Sequence, residues 1–303
     1  MTAQVVYVPM DHRLRDIVKG LSGDAQSGAS EMLSSVITAI LAIPEEDMRA
    51  IPAAEWEEFA LALHRAKPSV APVFNVANAV LLATEQGTAG SSVRPVLTEM
   101  MERERRSGVL IAEAARKHIK GRWLVTTSYS STVAQVLKGL ARDRPLKVTV
   151  AESLPGGEGR GFAQALAGAG IETEVVADST VFARMAEADG AVTGADALTP
   201  AGLINKVGTR ALAEAARAHE LPAYAVCGWS KTCPVVLSDL MASRKELGLR
   251  LSEHLQVFES VPLELFSSLI TDHGTMTPQD LRMELGVSRV ATAWSARGPF
   301  RRS

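Results

Sequence analysis

An excess of charge of either sign is missing from this sequence. Its 32 Lys and Arg stand against 34 Asp and Glu, for a formal charge of −2 and a pI near 6.3. No overall field therefore draws it to nucleic acid or to an anionic membrane, and small molecules or proteins are the expected partners. Long apolar runs are missing too. No stretch approaches the roughly 20 residues that a bilayer-spanning helix needs, and the opening MTAQVVYVPMDHR has no cationic segment leading into an apolar one. The expected location is the cytoplasm, with no membrane partner. Cysteine is scarce: Cys227 and Cys233 stand in a C-x5-C spacing that matches no common zinc or redox motif, so two reduced structural thiols and no metal are expected. A G-x-G-x-x-G after the first strand, a P-loop lysine motif and an H-x-x-x-H pair are all absent, which removes the main signatures of nicotinamide, flavin and nucleotide-hydrolase sites and leaves no cofactor expected. GGEGRG at 156–161 follows the second strand of its set and lacks the dinucleotide spacing. No base-reading motif is present, so direct nucleic-acid binding is not expected.

What is there is an ordinary globular balance, 47% hydrophobic and 22% charged, in a chain of 303 residues that is long enough for two packed units. From about Asp11 to Lys120, DIVKGL, ASEMLSSVITAILAI, EWEEFALALHRA, VANAVLLATEQ and RPVLTEMMERERRSGVLIAEAARKHI repeat apolar residues at helical spacing. Pro44, Pro52, Pro68, Pro72 and GTAGSS at 87–92 mark their boundaries. After Gly121 short β-branched runs appear instead: WLVTTS, KVTVAES, TEVVADS, GAVTGAD, PAYAVCG and SSLITDHG, with amphipathic stretches between them. That alternation predicts a parallel sheet covered on both faces. The fold expectation is α/β: a helical N-terminal domain over 1–120, then a Rossmann-like parallel-sheet domain over 121–303. Ligands of such sheets gather beyond the carboxyl ends of the strands, so the residues following each run are the candidates. The Arg and Ser content of the tail SRVATAWSARGPFRRS predicts mobility at its very end.

Glu152-Ser153-x-Pro155, Glu158-Gly159, Asp178-Ser179, Gly194-Ala195-Asp196 and Asn205-Lys206-x-Gly208-Thr209 follow one another in an order and spacing that resembles the initiation factor 2B alpha/beta/delta family. That family includes methylthioribose-1-phosphate isomerase and ribose-1,5-bisphosphate isomerase. The resemblance runs upstream through AKPSVAPVFNVANAV and TTSYSSTVAQVL and downstream through FESVPLELFSSLITDHG. It implies a phosphorylated sugar or nucleotide as ligand and a homodimer or higher homo-oligomer. It also implies aldose-to-ketose isomerisation in the enzymes and a non-catalytic sensing role in the factor's regulatory subunits.

Asp196 ends an apolar run, so its carboxylate is expected at a strand terminus, partly withdrawn from water, where desolvation raises its pKa toward proton-transfer values. An Asp capping its own loop is the plainer alternative. Asn205 and Lys206 precede a helix start at Gly208-Thr209, where free NH groups and the helix dipole favour an anion; a helix cap with a solvated lysine is the alternative. Glu158 matches a family position near the sugar hydroxyls, or is a solvated loop residue. Ser130, Ser131 and Thr132 read as a helix cap that also offers donors to a phosphate.

The departures from the family bear on chemistry. Ser128 stands where the isomerases carry a catalytic cysteine, and a hydroxyl ionises far less readily than a thiol of ordinary pKa about 8.5. Ser27-Gly28-Ala29 replaces an Arg-Gly-Ala, and Lys67-Pro68 replaces an Arg-Pro. Gly28, Ala29 and Lys67 are thus expected at the ligand with one cation fewer and without the bidentate fork. Arg94 is expected on the surface. Cys227 either reaches the cleft or is a small buried strand residue.

Overall fold

The computed structural model describes residues 10–24, 27–68, 70–85, 89–235 and 257–297. The end of the tail, from residue 298, and Gly87 and Thr88 of GTAGSS lie outside these residues. The chain divides into two units. Met1–Arg105, Cys233–Ser238 and Ser288–Ser303 form one, and Arg106–Thr232 with Asp239–Val287 form the other. The division falls within a helix rather than after residue 120, and the first unit takes back the chain from Ser288.

The helical unit contains α1 (His12–Gly23), α2 (Ala29–Leu41), α3 (Glu45–Ala50), α4 (Ala53–Ala66), α5 (Ala71–Glu85) and the first part of α6 (Ala89–His118). Pro44 and Pro52 stand at the N-caps of α3 and α4, where a missing NH costs nothing. In α5, Val73, Phe74, Val76, Ala77, Val80 and Leu81 are all buried, the pattern of a helix apolar all round, and α2 and α4 pack on it. The AGSS part of the expected punctuation is instead the first turn of α6. Gly90 serves close approach there, since a Cβ would stand 2.2 Å from the Met48 carbonyl oxygen.

The polar side chain of Asn78 on α5 ties down the returning segment. Its Nδ2 donates to the Arg289 carbonyl (3.0 Å), and its Oδ1 accepts from Ala291 N (2.9 Å) and Trp294 Nε1 (3.1 Å). Trp294, in the short helix Thr292–Arg297, is buried against Phe74 and edge-on to His64. Burial of such a ring contributes on the order of 3 kcal/mol. The same burial, with the charge of Arg65, pushes the His64 imidazole down to about 4, so it is neutral at pH 7. Arg94 is half-buried rather than on the surface, and donates to the Ile43 carbonyl.

The sheet unit runs β1 (Trp123–Thr126), α7 (Ser131–Asp143), β2 (Lys147–Ala151), α8 (Glu158–Ala167), β3 (Glu172–Val176), α9 (Val181–Met185), β4 (Gly190–Thr193), β5 (Ala197–Thr199), β6 (Gly202–Lys206), α10 (Thr209–Ala218), β7 (Ala223–Val226), β8 (Phe258–Val261), β9 (Ser268–Thr271), β10 (Gly274–Met276) and α11 (Pro278–Val287). The main sheet has the order β10-β9-β7-β4-β1-β2-β3, with only β10 antiparallel. Its parallel strands are the six expected runs, and in chain order they lie 3-2-1-4-5-6, the Rossmann arrangement. Period-two alternation feeds two cores. Leu124, Tyr224, Val226 and Ile270 join the core under α7, α8 and the end of α6, whereas Val125, Ala223, Ala225 and Leu269 join the core under α9, α10 and α11. β3 ends the sheet among the described residues, with Glu172 and Glu174 along it.

A second, antiparallel sheet of order β5-β6-β8 was not expected. Its strands are only 3–5 residues long, and Pro200 and Gly202 read as loop residues in sequence. The Thr199 hydroxyl, donating to the Gly202 carbonyl (3.0 Å), closes the β5–β6 hairpin.

Candidate functional site

In a 3-2-1-4-5-6 sheet the chain leaves β1 and β4 toward opposite faces, and a crevice opens between their carboxyl ends. The chain at that point is held in costly conformations. Ser128, after β1, and Ser153, after β2, have φ of 63° and 65°, a region that costs a non-glycine residue about 1–2 kcal/mol. Hydrogen bonds hold both. Ser128 N donates to Ser153 Oγ (2.6 Å), Thr127 Oγ1 and Ser153 Oγ are 3.0 Å apart, and Ser153 N and Leu154 N donate to the two carboxylate oxygens of Asp178 (2.7 and 2.8 Å). The ends of β1, β2 and β3 are thereby knitted together. On the β4 side Gly194 has no room for a side chain, because a Cβ would lie 2.7 Å from Ser130 Oγ at the N-cap of α7.

Glu158 owes its position to its neighbour. A Cβ on Gly159 would stand 1.8 Å from the Ala151 carbonyl oxygen, so only glycine lets α8 start this close to β2. Glu158 Oε1 then meets Lys206 Nζ at 2.6 Å and the Ser128 hydroxyl at 3.2 Å. Lys206 ends β6, and its side chain is only 6% exposed, against 30% for Glu158. The backbone of Gly156 runs over the pair: a Cβ there would lie 2.2 Å from Glu158 Oε2 and 3.1 Å from Lys206 Nζ. Asn205 is buried one residue earlier in β6. Its Nδ2 donates to Thr193 Oγ1 (3.2 Å) and Thr209 Oγ1 (2.9 Å), joining the end of β4 to the start of α10. Gly208, at φ 100°, makes the turn into α10, whose first-turn Arg210 N donates to the Glu259 carboxylate (2.9 Å).

Asp196 lies just before β5, its backbone N bonded to the Ile204 carbonyl (2.8 Å). Burial pushes its carboxyl up from the ordinary carboxylate value, and the ammonium of Lys231 opposes that rise. Lys231 Nζ is fixed on the Ala195 carbonyl (2.8 Å), and it ends a 3-10 turn, Trp229–Lys231. Trp229 N donates to Asp272 (2.6 Å), and the Trp229 ring stacks on His273 with centroids 4.3 Å apart. Sequence reasoning reached the stretches after β7 and β9 but not these residues. Glu259 escaped it because β8 did.

Cys227 is buried within the core under α9–α11. Cys233 is buried as well, and its thiol is pushed up to about 12. In the helical unit Gly28 caps α2, its N donating to Glu31 (2.9 Å), with Ala29 the first residue of that helix. Lys67 Nζ donates to the Asp24 carbonyl, which brings it to the loop before α2. Among the described residues no group of three or more His, Cys, Asp or Glu is placed to hold a metal ion, and no described helix is long and apolar enough to cross a membrane.

Comparison with known proteins gives this geometry a lineage. A translation initiation factor eIF-2B subunit 2-like protein of Pyrococcus horikoshii is 28% identical over 275 residues, 89% of this chain and 98% of that one. The crystal structure of the translation initiation factor eIF-2B of P. horikoshii OT3 matches with a TM-score of 0.76 at 25% identity, over 90% of this chain and 100% of that chain. The 5-methylthioribose 1-phosphate isomerase of the same organism shares the fold at a TM-score of 0.68 and 16% identity, over 90% of this chain and 87% of that chain. The family model described as the Initiation factor 2 subunit family matches residues 22–278, so this chain belongs to that family.

Proposed function

We propose that this chain is an initiation factor 2B-like protein that binds a phosphorylated sugar in the crevice beyond β1 and β4. In this reading the first turn of α7, with Ser130, Ser131 and Thr132, takes the phosphate, as helix N-termini in such sheets do. Glu158, Asn205, Lys206 and Ser128 line the sugar, and Asp196 stands by its C1–C2 end. The observation that carries the reading is Asp196: a carboxyl held up by burial just beyond the end of β4 is more useful to a ligand than to the fold.

The same observation favours a second reading, an aldose-ketose isomerase of a pentose 1-phosphate or 1,5-bisphosphate. There Asp196 carries the proton that leaves one carbon and is delivered at its neighbour. Ser128 favours the non-catalytic use instead, a regulatory subunit-like protein that senses a sugar phosphate or nucleotide within a cytoplasmic homo-oligomer. Its hydroxyl is bonded to Glu158 and has no thiol's acidity. Incubation with ribose 1,5-bisphosphate, methylthioribose 1-phosphate and 5-deoxyribose 1-phosphate, followed by NMR and by thermal melting, separates them. Stabilisation without turnover is the expected result, and turnover establishes the isomerase. Ligand stabilisation unchanged by Asp196→Asn would place the site elsewhere.

A further inference from the structure

The parallel sheet has a second border, where its strands begin, and a cavity of about 420 Å³ opens there, within the range of small-ligand sites. It is lined by Lys120, Gly121 and Arg122 before β1, Asp189 before β4, and Pro222 and Tyr224 at the entry to β7. The sugar-phosphate reading makes no use of it, because that reading lies at the opposite ends of the same strands. The segment entering β1 is gripped from two sides. Arg144 donates to the Ile119 and Gly121 carbonyls (2.7 and 3.0 Å), and the Asp189 carboxylate accepts from Arg122 N and Trp123 N (2.7 and 2.9 Å). Gly121 permits the second grip, since a Cβ there would stand 2.5 Å from the Asp189 Cβ. Gly190 does the same between β4 and β7, where a Cβ would lie 2.6 Å from the Pro222 carbonyl oxygen. The backbone that carries Lys120 and Arg122 to the cavity is therefore fixed in advance.

Tyr224 is the residue here that the fold does not account for. Its ring packs in the core under α7 and α8 at 9% exposure, yet among the described residues its hydroxyl has no hydrogen-bond partner. A phenylalanine would serve that core as well. Burial pushes the phenol up from its ordinary ionisation, against the pull of the Arg144 guanidinium, so at neutral pH it is a proton donor on the cavity wall. Lys120 and Arg122 are exposed, and neither forms an ion pair with a described residue. Asp189 is the one negative charge in the lining, already turned to two backbone amides. We propose that this cavity binds the carboxylate of a small organic acid: Arg122 takes it through its guanidinium fork, Lys120 attracts it by charge, Tyr224 donates its hydroxyl hydrogen to it, and Pro222 and the Tyr224 ring meet the acid's apolar body. A planar, singly charged group suits the fork, whereas a doubly charged phosphate meets repulsion from Asp189.

The test titrates the full isotope-labelled chain with benzoate, which joins a carboxylate to an apolar ring. The amide resonances of Arg122, Trp123 and Asp189 are expected to shift to saturation while those of Ser153, Asn205 and Lys206 stay in place. Arg122→Gln is expected to weaken benzoate binding roughly tenfold and Tyr224→Phe about fivefold. Tyr224→Phe should melt no lower than the unaltered chain, because the hydroxyl holds nothing in the fold. Melting curves verify that each variant is folded, and Arg122→Lys, which keeps the charge without the fork, replaces Arg122→Gln if that variant is not. No saturable shift, shifts confined to the carboxyl ends of the strands, or an affinity unchanged in either variant overturns the proposal.

Inorganic phosphate at matched ionic strength and pH 8, where it is mostly doubly charged, separates the carboxylate from other oxyanions. It is expected to shift the Arg122, Trp123 and Asp189 amides only at concentrations roughly tenfold above those that suffice for benzoate. Equal or tighter binding of phosphate at these amides overturns the assignment to a carboxylate. The result does not depend on what binds at the other border: if no sugar phosphate binds this chain, the benzoate shifts are still expected.

Discussion

In the helical unit the buried polar atoms are spent on the fold itself. Asn78 uses both ends of its amide to hold the segment from Arg289 to Trp294, and His64 is kept neutral between aromatic rings. At the strand ends of the sheet unit the reverse holds. Ser128 and Ser153 take up strained backbone, Lys206 is withdrawn from water, and Asp196 is kept where burial opposes its charge. The strand ends thus hold groups that work against stability, as expected of the proposed site.

The comparison breaks if substitutions in the two regions act alike. The largest effect is expected from Asn78→Leu, which strands the donors of Ala291 and Trp294 in the interior and removes the donor to the Arg289 carbonyl. Urea unfolding should show a loss of roughly 4 kcal/mol, and amides from Arg289 to Trp294 should lose protection from hydrogen exchange. His64 comes next. Its folded value of about 4 lies below the ordinary 6.5, so the unfolded chain takes the proton first as the pH falls. Its contribution is complete above pH 6.5 and falls away through pH 4 by roughly 3 kcal/mol. His64→Phe should flatten that part of the stability-versus-pH curve.

Asp196→Asn should have the opposite sign to Asn78→Leu. A carboxyl raised in the folded state favours folding below its ordinary value of 3.8, and that benefit is lost as the pH rises through the folded value. At pH 8 the asparagine variant should be more stable by about 1 kcal/mol, an advantage that shrinks on acidification, as melting curves at several pH values would show. The smallest effect is expected from Ser128→Gly, which relieves the φ of 63° and should gain about 0.5 kcal/mol in the same denaturant assay despite losing the contact with Glu158.

The six parallel strands were legible because each is a β-branched run closed by Gly, Ser or Asp, and periodicity found them one at a time. The returning segment was not, because Asn78 and Trp294 are 216 residues apart and nothing local marks either as a partner. The candidate site divided along the same line. Ser128, Glu158, Asp196, Asn205 and Lys206 could each be proposed from their place after a strand or before a helix. The pairing of Glu158 with Lys206, 48 residues apart, could not. In sequence one reads as a solvated glutamate and the other as an available cation; together they form a neutral corner. The β5-β6-β8 sheet was hidden by the brevity of its strands, and with it the Glu259 carboxylate on α10.

The acidic residues along β3 have a consequence for how this molecule meets copies of itself. A terminal strand presents a ladder of backbone donors and acceptors that a neighbouring chain can zip onto, extending one sheet into the next without limit. Glu172 stands exposed on β3, and Glu174 is held along it by Lys147 and Arg184, so an identical strand laid alongside would set like charges against each other. Propagation through that border is thereby discouraged, and any assembly of this chain is steered toward closed contacts between side-chain surfaces rather than toward fibres.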